Sequence, residues 1–243
     1  MGNLIKDALE TYGANLKLVL LFSIPFVIAF LIPLIAPLPT YISAGAIFLR
    51  SASIFYNLSI SGIAVIIASL FFSLLFLSFA FVAISLIVKA RRTYMRVPSK
   101  ALKEIEKHIS RVFILLLAYT LVLLAANMIG YYLGFQALLT DITGFFGMLL
   151  IFYAPSAIVV GEKRVITAVS DSIRLMAEKP QYFVQWLLLS LLIVSAVDLA
   201  IIFVAGTPWS MYLVLIVNSL LIAPYFVIFT AEAYMRKFPI LRH

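Results

Sequence analysis

The 243-residue sequence contains no cysteine, two histidines and few charged residues, and each shortage excludes a class of chemistry. Without cysteine there is no disulfide, thiolate metal site, iron–sulfur cluster or cysteine nucleophile. His108 lies in a charged segment that we take as a loop, and His243 is the last residue, so a histidine-bound haem or metal site within the apolar runs is excluded. Charged residues make up 12% of the chain and hydrophobic residues 65%, which is typical of a membrane protein.

Catalytic sequence motifs are also missing. No glycine-rich phosphate loop precedes a Lys-Ser/Thr pair, and neither H-E-x-x-H nor G-x-S-x-G occurs. No aspartate-rich motif of the kind that binds Mg²⁺ stands at a predicted helix end. We therefore expect a protein that is not an enzyme, with no catalytic residue, no metal and no cofactor.

The basic residues are concentrated beside the long apolar runs. Seventeen of the eighteen Lys and Arg residues lie in residues 1–17, 89–111, 162–179 and 236–243, and Arg50 is the exception. Cytoplasmic loops of membrane proteins hold an excess of Lys and Arg. Clusters at every second loop therefore predict an even number of spans in the cell membrane, with both termini in the cytoplasm. The net charge is +8, and we expect the basic residues to contact anionic lipid headgroups and not nucleic acid.

Six apolar runs are long enough to cross about 30 Å of hydrocarbon, for which a helix needs about 20 residues. Because lipid offers no partner to backbone N–H and C=O groups, we expect all six to be helices. The first run is too long for a signal peptide and is expected to be an uncleaved span. The chain is then a single all-α membrane domain. The predicted spans are 16–36, 60–88, 112–133, 142–160, 182–205 and 209–231.

Three of the predicted cytoplasmic segments carry a narrow apolar stripe at helical spacing, each just before an odd-numbered span. Charged residues lie on the opposite face. Such helices are typical of the membrane interface, and a docking surface for a soluble partner is the alternative. The stripes are Ile5, Ala8, Leu9, Tyr12 and Leu16, then Leu102, Ile105, Ile109 and Val112, and finally Ile166, Val169, Ile173 and Met176.

Spans four and six resemble one another. Glu162 follows Pro155 by seven residues in span four, and Glu232 follows Pro224 by eight residues in span six. Together with the three amphipathic segments, this suggests three repeats, each an interfacial helix and a hairpin of spans. All three would face the same way, as in parallel repeats about an axis along the membrane normal.

The same two prolines and two glutamates are candidate functional residues. A proline in a span removes a backbone hydrogen bond and kinks the helix, so Pro155 and Pro224 are candidate hinges. Basic residues closely follow Glu162 and Glu232, which predicts an ion pair at the inner end of each span. A pair of equivalent gates, each set by its proline, is the alternative interpretation.

Asp198 is the acidic residue placed deepest in a predicted span. Charged side chains in spans are costly and are functional candidates by default. Asp198 would bind a cation or proton on a transport path, or serve as one buried carboxyl group that stabilises packing. Asn127 and Asn218, within spans three and six, would either join helices by hydrogen bonds or contact a substrate. These three residues form our candidate ligand or ion pathway.

The predicted outer loop, residues 37–59, is too apolar to lie freely in water. We expect a helix on the outer membrane interface or a lid over the bundle. Arg50 in this loop is expected to pair with Asp141, the single acidic residue predicted on the outside.

The region around span four resembles a loose group of six-span membrane families. Pro155, Glu162, Ala168 and Ser170 match the shared pattern, a proline in span four, a glutamate soon after it and an amphipathic helix leading into span five. The group includes the membrane domain joined to some glycerophosphodiester phosphodiesterases, and uncharacterised bacterial and archaeal proteins. The resemblance covers residues 152–188 and implies a stand-alone membrane module, without the phosphodiesterase activity.

Two functional classes follow from the sequence. The first is a non-enzymatic accessory or structural module that engages lipid or a protein partner, in the membrane or in the cytoplasm. The second is a small permease or channel with Asp198 in its pathway.

Overall fold

The computed structural model describes residues 3–35, 40–43, 46–49, 60–93, 101–206 and 209–238, and almost all of them are helical. The helices are α1 (Asn3–Ala14), α2 (Leu16–Ile35), α3 (Ile60–Thr93), α4 (Ala101–Leu133), α5 (Gln136–Ile151), α6 (Ala154–Val159), α7 (Val165–Glu178), α8 (Pro180–Ala205), α9 (Trp209–Val217) and α10 (Ala223–Lys237). A π-helical segment, Asn218–Ile222, joins α9 to α10. Two short strands, β1 (Thr40–Ser43) and β2 (Ala46–Leu49), pair in antiparallel orientation.

Six helical stretches are long and apolar enough to cross a membrane, which confirms the prediction of an all-α polytopic membrane protein. They are Leu16–Pro33, Ile60–Arg91, Ile105–Leu133, Gln136–Val159, Pro180–Ala205 and Trp209–Lys237. Two spans begin earlier than predicted: span three begins at Ile105 and not at residue 112, and span four begins at Gln136 and not at residue 142. The polar residues at the start of span four suggest a loop in the sequence. The Thr140 hydroxyl, however, donates a hydrogen bond to the Gln136 carbonyl oxygen at 2.8 Å and so fits within the helix.

The second amphipathic segment is not a separate helix. It is continuous with span three in α4, because neither glycine nor proline interrupts the chain between residues 101 and 129. His108 therefore lies fully buried in a helix, and its placement in a loop was wrong. By contrast, α7 ends at Glu178 because Lys179 precedes Pro180, and a residue before proline is disfavoured in helical conformation.

Each amphipathic segment buries a face against the bundle. The buried residues are Leu4, Ala8 and Thr11 of α1, Ile105, His108 and Val112 of α4, and Ala168, Ser172 and Leu175 of α7. The third predicted stripe differs from the observed face, since Ile166 is 86% exposed and Ile173 is 43% exposed. Small residues let α7 approach α6 closely, so its larger isoleucines are left on the outside, where an interfacial helix would contact lipid.

The prediction of a helix in the outer loop is wrong for the part of the loop that the structure describes. Thr40 lies opposite Leu49 and Ser43 opposite Ala46 in a β-hairpin, and the β-branched and aromatic residues between them favour strands. Arg50, the proposed partner of Asp141, lies outside the described residues. The idea of a lid stays a prediction.

The four segments rich in Lys and Arg meet at one end of the bundle, which we call the charged end. Hydrogen bonds and ion pairs join Asp7 with Arg236, Lys89 and Lys107 with Glu162, and Tyr234 with Asp171. The order of interfacial segment, span and span recurs three times along the chain. Such an arrangement has all the predicted cytoplasmic segments on one side, as the charge pattern requires.

The core lies toward this charged end. Twelve residues of α10 and all six of α6 are buried. Every residue of α5 retains some exposure, and Asp198 is the one buried residue of α8. The half of the bundle near the charged end is therefore tightly packed, and the other half is loosely packed.

The tight packing predicts an effect of substitution at Gly161, just after α6. A Cβ atom there would lie 2.5 Å from the Tyr234 hydroxyl oxygen and 2.8 Å from the Ala157 carbonyl oxygen. Overpacking of this kind costs about 1–3 kcal/mol, so we expect Gly161→Ala to lower the Tm in detergent by several degrees. Gly13→Ala is the control, because nothing lies within 4 Å of its Cβ position. Equal Tm values for the two variants would contradict the prediction.

Candidate functional site

Asp198 and Asn218, which lie on different spans, are joined by a hydrogen bond. The Asn218 amide nitrogen donates to Oδ1 of Asp198 at 3.0 Å, and Asp198 is 6% exposed. Its second carboxylate oxygen, Oδ2, is buried and has no hydrogen-bond partner among the described residues. A buried acceptor that is not satisfied by the protein is costly, so this oxygen is suited to accept a bond from a ligand or to attract a cation.

Asn218 is the first residue of the π-helical segment that precedes Pro224. The N–H of Ala223 donates to the Asn218 carbonyl oxygen, five residues back, which defines the wider turn. Pro224 has no N–H, and its ring clashes with the carbonyl group four residues earlier, so it disfavours the regular α-helical pattern at this point. Segments of this kind are frequent at functional sites because they change which side chains share a face.

A second interruption precedes Pro155. Helix α5 ends at Ile151 and α6 begins at Ala154, with Phe152 and Tyr153 in a turn between them. The Tyr153 N–H donates to the Ser172 hydroxyl oxygen of α7 at 3.0 Å. The two prolines chosen as candidate hinges therefore each follow an interruption of their span.

A cavity of about 400 Å³ lies among the six spans and adjoins both interruptions. Side chains from every span line it, and its volume is within the range of about 300–1,000 Å³ of small-molecule sites. Six aromatic side chains contribute to the wall: Phe26, Phe30, Phe81, Phe152, Trp186 and Phe226. Its polar contribution comes from Ser190, Asn218, Ser219 and Thr230. None of the described lining residues is charged.

The aromatic lining is held in edge-to-face contacts. The Trp186 ring centre lies 4.8 Å from that of Phe152 and 5.4 Å from that of Phe226, with steep interplanar angles of 81° and 67°. Across other spans, Phe26 meets Phe81 at 5.6 Å and 82°. Such contacts are attractive because the positive ring edge faces the negative ring face, and they hold the wall in a fixed shape.

Asn127 is separate from this site. Its amide nitrogen donates to the Thr140 hydroxyl oxygen at 3.2 Å, and its Oδ1 accepts from the Gln136 amide at 2.8 Å. These bonds join α4 to α5, as expected for the alternative role of helix packing. Of the three predicted pathway residues, the structure brings together Asp198 and Asn218 and leaves Asn127 elsewhere.

Glu162 forms ion pairs at the charged end, with different partners from those expected. Its carboxylate lies 2.7 Å from the Lys89 ammonium nitrogen and 2.8 Å from that of Lys107, while the neighbouring Lys163 lies 4.0 Å from Asp171. Glu162 has a φ of +53°, in the left-handed region that L-residues rarely adopt. Through Glu162, the ion pairs connect the end of α3 to the start of α4.

Glu232 has quite different surroundings. It is fully buried, and its Oε1 accepts a hydrogen bond from the Thr11 hydroxyl at 2.8 Å. The Thr11 oxygen also accepts from Arg91, and Arg236 pairs with Asp7 at 2.7 Å. Since the Glu162 side chain is 48% exposed, the two glutamates are not an equivalent pair of gates.

Thr11 and Ser172 are fully buried polar residues that join helices and that the sequence analysis did not identify. Both occupy the buried face of an amphipathic segment, where Thr11 bonds Glu232 and Ser172 bonds the Tyr153 backbone. The available signal was their spacing of three or four residues from buried apolar neighbours. The predicted stripes include only apolar residues, so these two residues with hydroxyl groups were not assigned to the buried face.

Comparison with known proteins identifies no relative of this chain. No family model, no curated protein and no solved structure matches the chain. The resemblance of residues 152–188 to six-span families therefore stays a prediction. The described residues contain no group of three His, Cys, Asp or Glu that would hold a metal ion. Fold and site together define a polytopic all-α membrane protein with a cavity lined by all of its spans.

The ion pairs of Glu162 predict a pH-dependent contribution to stability. Hydrogen bonds from Lys107 and Lys89 lower the pKa of Glu162 from 4.5 to about 2. A carboxyl group whose pKa is lowered on folding stabilises the folded state above its ordinary pKa, and that stabilisation is lost as the pH falls from 4.5 toward 2. We expect Glu162→Gln to cost about 1 kcal/mol at pH 7, because partly exposed ion pairs contribute about 0.2–1 kcal/mol each.

Thermal unfolding in detergent at pH 7, 4.5 and 3 measures this effect. The Tm difference between wild type and Glu162→Gln is expected to shrink as the pH falls. Glu106→Gln is the control, since Glu106 is exposed on α4, and a small change is expected at every pH. A difference that is constant with pH would exclude the ion pairs as its cause.

Proposed function

We propose that the chain is a non-enzymatic accessory module of the cell membrane whose central cavity binds a lipid or another apolar molecule from the bilayer. The observation that carries this proposal is the cavity of about 400 Å³, with contributions from every span and six aromatic side chains. In this proposal, the cavity is the place where the accessory module expected from the sequence would engage lipid.

Shape and dispersion forces would supply the affinity. A molecule already dissolved in lipid gains little hydrophobic free energy by moving into a protein, because lipid tails are equally apolar. It gains from close contact with fixed aromatic walls and from hydrogen bonds to the polar lining. Ser190 and Asn218, on spans five and six, are suited to bond the polar group of such a ligand.

The loosely packed half of the bundle supports entry from the side. Met148 of α5 and Ser190 and Val194 of α8 line the cavity. Of the helices that contribute several side chains to its lining, these two have the fewest buried residues. A ligand that diffuses in the bilayer would need only small side-chain movements to pass such a boundary. Packing around α10 would resist entry from the charged end.

We infer that the charged end faces the cytoplasm and that both termini lie there. Support comes from the excess of Lys and Arg in the segments that meet at this end. Basic side chains there would contact anionic headgroups, and the exposed isoleucines of α7 would enter the interface beside them. A protein partner, in the membrane or in the cytoplasm, would bind to the surfaces that these segments leave exposed.

Filling the cavity tests the proposed function. We expect Ser190→Trp to displace the ligand, because Ser190 lines the cavity and the indole ring would occupy its volume. Native mass spectrometry of protein gently extracted from its own membranes would then show loss of the retained molecule. Leu191→Trp is the matched control, since Leu191 is the next residue and is 63% exposed on the outer surface. Equal retention by both variants, or no retained molecule in the wild type, would refute lipid binding in this cavity.

Transport is the second candidate function, and the buried Asp198–Asn218 pair favours it. Asn218 lines the cavity, and the Asp198 carboxylate lies one hydrogen bond behind it. A carboxylate so placed in a span is suited to bind a proton or a metal cation that crosses the membrane.

Proteoliposomes distinguish the transport candidate from a pure binding module. If Asp198 lies on the pathway, Asp198→Asn abolishes flux of H⁺, Na⁺ or K⁺, measured with fluorescent indicators, while the amount of reconstituted protein is unchanged. Asp141→Asn controls for the loss of one exposed acid. Wild-type flux no higher than that of empty liposomes, or unchanged flux in Asp198→Asn, would remove Asp198 from any transport mechanism.

A further inference from the structure

The cavity combines an aromatic wall with a buried acidic residue, Asp198, that is hydrogen-bonded to the lining residue Asn218. We propose that its ligand is a lipophilic organic cation, an apolar molecule with one quaternary or delocalised positive charge. This inference rests on the proposed function, because it names the chemical class of the molecule that the cavity holds. Three observations carry it: the aromatic lining, the placement of Asp198, and the distribution of basic residues.

The aromatic lining is suited to a cation. Ring faces carry a negative partial charge and attract a positive group within about 6 Å, most strongly when water is excluded. Trp186 contacts Phe152 and Phe226 edge to face. It lies 12 residues before Asp198, about 18 Å along α8, so this part of the wall would hold the apolar body of the ligand.

The Asp198 carboxylate gives the cavity a negative end. Its Oδ1 accepts the bond from Asn218, which lines the cavity, so the carboxyl group lies one hydrogen bond from a lining residue. Its buried Oδ2 has no hydrogen-bond partner among the described residues. Because buried charges in proteins are normally paired, an ionised Asp198 requires a positive group nearby.

The described part of the chain offers no such group at this depth. Lys179 and Arg236 are consecutive basic residues in the sequence, so spans five and six have none between them. Asp198 lies 18 residues beyond Pro180, which is about 27 Å along α8 at 1.5 Å per residue. The Lys and Arg residues of the described helices lie at the charged end, far from this position. For an ionised Asp198, a bound cation would supply the counter-charge that the described residues lack at this depth.

A neutral amphiphile fits the same volume less well. It would use the aromatic wall and would hydrogen-bond Asn218, but it would leave the carboxylate without a counter-charge. An anionic lipid headgroup would be repelled by Asp198 and would meet no described cation in the wall. A lipophilic cation would suit both if its positive charge lies toward Asp198 and its apolar body extends to the rings around Trp186.

Comparison of a charged and a neutral molecule of equal shape tests this inference. Tetraphenylphosphonium and tetraphenylsilane differ in charge at the central atom and hardly in size. Equilibrium dialysis against wild-type protein in detergent, with empty micelles as the blank, measures the affinity of each. We expect the cation to bind at least tenfold more tightly. Equal affinities, or no binding of the cation, would overturn the inference without any need for a variant.

Three variants assign the difference to particular residues. Asp198→Asn is expected to weaken binding of the cation at least tenfold and to leave the neutral compound unaffected, while Asp141→Asn changes neither. Full cation affinity in a folded Asp198→Asn variant would overturn the role of Asp198 and leave the apolar cavity intact. Ser190→Trp is expected to weaken both compounds. Unchanged binding of both in that variant would instead refute the cavity, and with it the proposed function.

Discussion

Backbone hydrogen bonding in a lipid environment is the constraint on which the site depends. A proline in a span leaves a carbonyl group without its helical partner, and lipid supplies no substitute. Next to Pro155 and Pro224 the spans depart from regular α-helix, through a two-residue turn in one case and a π-helical segment in the other. Phe152 and Asn218 stand in these irregular segments, and both line the cavity.

Side-chain bonds at the charged end join helices that are far apart in the sequence. Glu162 connects α3 and α4, and Thr11 connects α1 to the buried Glu232 of α10. Because these bonds and the small residues of α6 and α7 close that half tightly, the remaining volume is left in the other half. The protein thus combines a closely packed charged end with a cavity bounded in part by α5 and α8, two helices with few buried residues.

The site was only partly predictable. Asp198 and Pro224 were identified because a charge or a proline inside an apolar run is conspicuous in any sequence. Pairing of Asp198 with Asn218 was not, because the hydrogen bond joins residues 20 apart across two helices and depends on how the π-helical segment turns. The same limit applies to Glu162, whose partners lie 73 and 55 residues away and not among its neighbours.

The sequence by itself determined the membrane class, the number of spans and the common side of the basic segments, because hydropathy and charge act locally along the chain. Tertiary structure decided which faces of the amphipathic segments are buried, which acids have similar surroundings, and that Asn127 belongs to a helix contact while Asn218 lines the cavity. Those outcomes depend on how closely helices approach one another. Side-chain size and backbone irregularity set that distance jointly across several spans, so no single stretch of sequence contains it.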